Sequence, residues 1–121
     1  MDETIFLVLH LVTEFGTAHT GGLECATFSK DLAEAKVSEF EQRHEARKLA
    51  IEELAKQMRL WDAEHPEPPD TGDGIAGMDH LRVRVAFEKA YFDSLPDQVR
   101  NDMSTMDECS FWSIESVPYL E

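Results

Sequence analysis

The chain has 121 residues, 42 % of them apolar, and carries 25 acids against 11 bases for a net charge of −14. Such a length and apolar share suit one folded domain, expected to span residues 1–121, and exclude a disordered or fibrous chain. The acidic balance argues against direct binding to nucleic acid or an anionic membrane, and suits a basic partner or plain solubility.

The first predicted element is a strand from Thr4 to Thr13. Ile5, Leu7, Leu9 and Leu11 alternate with Phe6, Val8, His10 and Val12, so both faces are apolar, as in a central strand covered on each side. The run is too short to cross a bilayer, and Asp2 and Glu3 stand where a signal peptide would carry positive charge. Cys25 and Cys109 are therefore expected as free thiols of a cytoplasmic protein. A polar, glycine-bearing turn is expected over Glu14–Gly22, followed by a second strand over Leu23–Phe28 that forms a hairpin with the first.

Lys30–Glu64 then reads as one long helix. Ser29 is its N-cap, and Asp31 and Glu34 place negative charge at the positive end of the helix dipole. Ala33, Val37, Phe40, Ile51, Leu54, Met58 and Trp61 fall on one seam at steps of three and four, with His44 and Arg47 as a polar waist in the middle. At about 1.5 Å per residue the rod is roughly 50 Å long. It must overhang the domain, bend at the waist or pack on another chain. Arg43, Arg47, Lys48, Lys56 and Arg59 alternate with glutamates, which describes a solvated, salt-bridged face.

Residues 65–78 hold Pro66, Pro68, Pro69, Gly72, Gly74 and Gly77, and are expected as an exposed loop. Residues 79–93 fit a strand through Leu81, Val83, Val85 and Phe87. Ala86, Glu88, Lys89 and Ala90 favour a helix, capped by Asp79. Leu95-Pro96-Asp97 opens another helix, running to about Met106. Ser110–Tyr119 is the last strand, with Trp112 and Ile114 on one face and Phe111, Val117 and Tyr119 on the other.

The element order β-β-α-α-α-β predicts an α+β fold with a three-stranded sheet in the order 2-1-3 and the helices in the crossover. One helical layer covers one sheet face. A second subunit is the economical cover for the other.

The residues Ile5–Val12, Phe28-Ser29 with Glu34-Ala35, and Trp112-x-Ile114-x-x-Val117 resemble small uncharacterised phage and bacterial proteins built as ββα…β. That resemblance implies the fold and carries no activity.

No catalytic, metal or cofactor constellation assembles from the spacing. His44-Glu45 lacks the second histidine of a zincin, since Lys48 stands in its place. Asp70-Thr71-Gly72 follows Pro68-Pro69, as a turn does rather than an aspartic-protease strand. Asp70, Asp73 and Asp79 miss the spacing of an EF-hand. The expected function is a small acidic protein-interaction module, homodimeric, whose protein partner (or second copy) meets Phe40, His44, Arg47, Ile51, Leu54, Met58 and Trp61. One alternative is an acidic inhibitor that competes with nucleic acid for a basic protein. Another is a small enzyme or ligand-binding domain using the sheet face around His10, Cys25 and Trp112.

Overall fold

A computed structural model describes residues 3–14, 16–69, 72 and 74–119. The elements are β1 (Glu3–Glu14), β2 (Thr17–Thr27), α1 (Lys30–Glu64), α2 (Ile75–Asp93), α3 (Asp97–Thr105) and β3 (Ser110–Tyr119). The three strands form one sheet in the order β2-β1-β3, and β1 is antiparallel to both neighbours. Fold class, strand order and element order are those the sequence predicts.

Two boundaries differ. β2 starts at Thr17 rather than Leu23, because Glu14 already pairs with Thr17 and only residues 15 and 16 lie between the strands. The ladder slips between Val8 and Leu9 and again between His10 and Leu11, so Glu24 and Gly21 are taken up as extra residues. Gly22 sits at φ 133, a backbone conformation that favours glycine. The glycines expected in a turn are thus the means by which a bulged strand keeps its pairing.

α2 starts at Ile75 rather than near Asp79, which shortens the expected loop at 65–78. Gly74 adopts a left-handed φ of 73 and turns the chain into the helix without a side-chain cap. Asp79 lies inside the helix, where it pairs with Arg82 at 3.5 Å. The ambiguity over 79–93 resolves as helix.

α1 begins as expected. The Leu32 N–H donates to Ser29 Oγ at 3.2 Å, and the Ala33 N–H to the Ser29 carbonyl at 3.1 Å.

The chain divides into two compact units, Met1–Ala46 with Asp102–Glu121, and Arg47–Asn101. The first boundary falls at the polar waist of α1. In unit 1, Val8, Ala33, Met106 and Trp112 form the buried core, with Phe6, Cys25, Val37, Phe40 and Ile114 packed against it. α1 therefore lies on the face of the sheet that carries Phe6, Val8, Trp112 and Ile114. In unit 2, Met58 and Trp61 are buried, and Trp61 meets His65, His80 and Phe87.

Candidate interaction surface

The inner face of the sheet holds a stack of rings. His10 lies parallel to Trp112 with centroids 5.1 Å apart, and Trp112 lies parallel to Phe40 at 5.6 Å. His44 meets Trp112 edge-on. The Arg43 guanidinium stands 5.0 Å from the centre of the Phe40 ring and grips Asp102 with two hydrogen bonds, of 3.1 and 2.6 Å. Asp102 is almost wholly buried, so the ion pair compensates for taking its charge out of water. The hydrogen bond that Arg43 donates to Asp102 raises the Arg43 pKa above its ordinary value. Arg43, expected on a solvated face, is thus the tie between α1 and α3. Only the fold, which brings together residues 59 positions apart, creates this pair.

His10 and Ser110 are both buried, with His10 Nε2 2.7 Å from Ser110 Oγ and His10 Nδ1 3.8 Å from Glu24 Oε1. The order serine, histidine, acid is that of a hydrolytic triad. Here Ser110 Oγ also accepts the Asp107 N–H at 2.8 Å, and the Glu24 carboxylate stands beyond hydrogen-bond reach of the ring. These contacts tie β1 to the start of β3. Cys25 pairs across from Val8, not His10. The structure therefore brings His10 and Trp112 together and places Cys25 one step along the same face. The sequence gives no sign of Ser110, because a lone serine at a strand start carries no signal.

The seam residues expected to meet a partner are mostly engaged within the chain. Phe40 stacks on Trp112, and His44 Nε2–H donates to the Asp107 carbonyl at 2.9 Å. Arg47 and Leu54 are half-buried, and Met58 and Trp61 are buried. Ile51 is the exposed member of the set.

The broad exposed apolar surface of unit 1 is the other side of the sheet. Strand alternation puts Ile5, Leu7, Leu9 and Leu11 there, opposite the inward Phe6, Val8 and His10. Register adds Leu23 beside Leu9, and Phe111, Val117 and Tyr119 beside Leu11, Ile5 and Glu3. Leu23 is 58 % exposed and Phe28, edge-on to Tyr119, 57 %. Glu115, beside Leu7, and Glu3 are the charges that the registered positions contribute.

Unit 2 carries an open cleft of about 650 Å³ lined by Asp62, His65, Glu67, His80, Leu81 and Arg84 among others. Asp62, His65, His80 and Arg84 are each hydrogen-bonded within the unit. Arg84 holds Asp62 with hydrogen bonds of 2.9 and 3.3 Å, and this depresses the Asp62 carboxyl below the ordinary range and raises Arg84. His65 Nδ1–H donates to the Trp61 carbonyl, and His80 Nε2–H to the His65 carbonyl. Among the described residues no three His, Cys, Asp or Glu side chains could hold a metal ion. Asp70, Thr71 and Asp73 lie outside the described residues, so the Asp70-Thr71-Gly72 triplet and the Asp70, Asp73 and Asp79 set do too. No helix among the described residues is long and apolar enough to cross a membrane.

In comparison with known proteins, no family model matches the chain, and neither a curated protein nor a solved structure matches it.

Proposed function

We propose that the chain is a protein-interaction module that self-associates through the outer face of its sheet. One observation carries this reading: the three strands present a largely apolar outer face, broken by Thr20, Ser113 and Glu115, with Leu23, Phe111, Val117, Tyr119 and the adjoining Phe28 all exposed. At about 3.3 Å per residue and 4.8 Å per strand, such a face measures roughly 33 by 14 Å, the size of the largest apolar patch on a monomer, which is often a functional one. Unit 1 holds fourteen acids and three bases, yet among the described residues its outer sheet face draws only Glu3 and Glu115 from them. Two copies meeting on this face pack two sheets about 10 Å apart and keep most of their acids away from the contact. The test is the light-scattering mass of the chain against a Leu23→Asp, Phe111→Asp variant. The mass should halve; an unchanged mass removes the support for this surface.

A second reading rests on the charge itself, since a net −11 on unit 1 favours a basic partner on the same face and competition with nucleic acid for it. Glu115 separates the two. It repels a second copy and attracts a basic partner, so Glu115→Gln strengthens the one complex and weakens the other.

A further inference from the structure

We propose that the Met78, Leu81 and Val85 stripe of α2 is a second self-association surface, on which the same stripe of another copy packs helix against helix. α2 is apolar on two sides. Its inward side carries His80 and Phe87, which meet Trp61, and Arg84, which holds Asp62. Met78, Leu81 and Val85 step by three and four along the helix and are 65, 56 and 55 % exposed, with Met78 and Leu81 also at the rim of the cleft beside His80 and Arg84. Phe92 continues the line seven residues on and is half-buried. A row at this spacing is the pattern by which one helix packs on another.

Charge selects the occupant. Unit 2 holds eleven acids and eight bases, so it takes −3 of the −14 and leaves −11 to unit 1. Across Ile75–Asp93 the balance is zero, with Asp79, Glu88 and Asp93 against Arg82, Arg84 and Lys89. A net-neutral helix has no long-range pull on a basic partner. It is also where another copy of a strongly acidic chain approaches with least repulsion. At about 1.5 Å per residue the 19-residue helix is roughly 28 Å long.

This surface adds to the outer sheet face proposed above, so the unaltered chain has two self-association surfaces and an α2 variant has one. The test is sedimentation equilibrium on the full chain, on Met78→Asp with Val85→Asp, and on Leu23→Asp with Phe111→Asp, with far-UV circular dichroism to confirm that each is folded. The α2 variant is expected to sediment as two chains, held by the sheet face alone, where the unaltered protein sediments at a larger mass. If the sheet surface alone fails, the unaltered protein is two chains and the α2 variant one, and the α2 surface stands. An α2 variant with the mass of the unaltered protein overturns the proposal. The milder Val85→Thr should raise the dissociation constant several-fold, and no change in it counts equally against α2.

Discussion

Arg43 and Asp102 form a two-pronged ion pair, Nη2 to Oδ1 at 2.6 Å and Nε to Oδ2 at 3.1 Å, with the carboxylate almost fully out of water. It fastens the first half of α1 to the C-terminal end of α3. Breaking it from one side takes the cation away from a buried carboxylate, a cost of up to about 5 kcal/mol. Arg43→Ala should lower the unfolding free energy by a few kcal/mol, up to about that figure, in urea titration. Arg43→Met with Asp102→Leu should recover much of the loss, since the buried charge is then gone. A single variant with unaltered stability would show that the pair contributes nothing.

Gly21 explains the local shape of the hairpin. A methyl at that position would stand 2.8 Å from His10 Nδ1. His10 cannot retreat freely, being stacked on Trp112 and in contact with Ser110. Gly21→Ala should therefore cost about 1–3 kcal/mol through overpacking, seen as a lower melting temperature. His10→Ala combined with Gly21→Ala removes the clash, so the added cost of the glycine change should shrink in a double-mutant cycle.

The Asp62 carboxyl titrates below the ordinary range because Arg84 hydrogen-bonds it. A depressed pKa means that its stabilisation is present above the unfolded value, near 4, and is lost as pH falls through the folded value. In Arg84→Gln the Asp62 carboxyl should move back up towards the ordinary range in a carbon-detected NMR titration. An unmoved midpoint would mean that Arg84 is not the cause. The group is solvent-exposed, so the effect on overall stability should be small.

Glu115 lies among apolar neighbours on the outer sheet face, beside Leu7. Two facing copies bring like charges together there, so Glu115→Gln should tighten self-association several-fold, and added salt should do the same. Weakening by both changes would favour the basic partner.

Much of the fold is legible in the sequence because its signals are local and periodic. The two-faced apolar run of Ile5–Val12 marks a central strand, and the seam from Ala33 to Trp61 marks α1. The stretch Glu14–Gly22 reads as a turn because glycines signal turns and bulges alike; only pairing with β1 shows that Gly21 and Gly22 lie in a strand. The surface is half legible. The alternation of Ile5, Leu7, Leu9 and Leu11 implies an uncovered face, while the α1 seam reads as a partner surface although the chain packs most of it internally. Arg43 with Asp102, and Ser110 with His10, join residues 59 and 100 positions apart. No spacing rule reaches that far.

The most direct test of self-association through the sheet is covalent footprinting of Leu23, Phe28, Phe111 and Tyr119 across a dilution series. These side chains are 39–58 % exposed in the single chain. If the outer sheet face is the contact, labelling is weak when the protein is concentrated and rises to full extent on dilution. Leu32, exposed on α1, belongs to the helix that covers the opposite sheet face and should label equally throughout. Labelling of the four sheet residues that does not change with concentration would contradict self-association through this face.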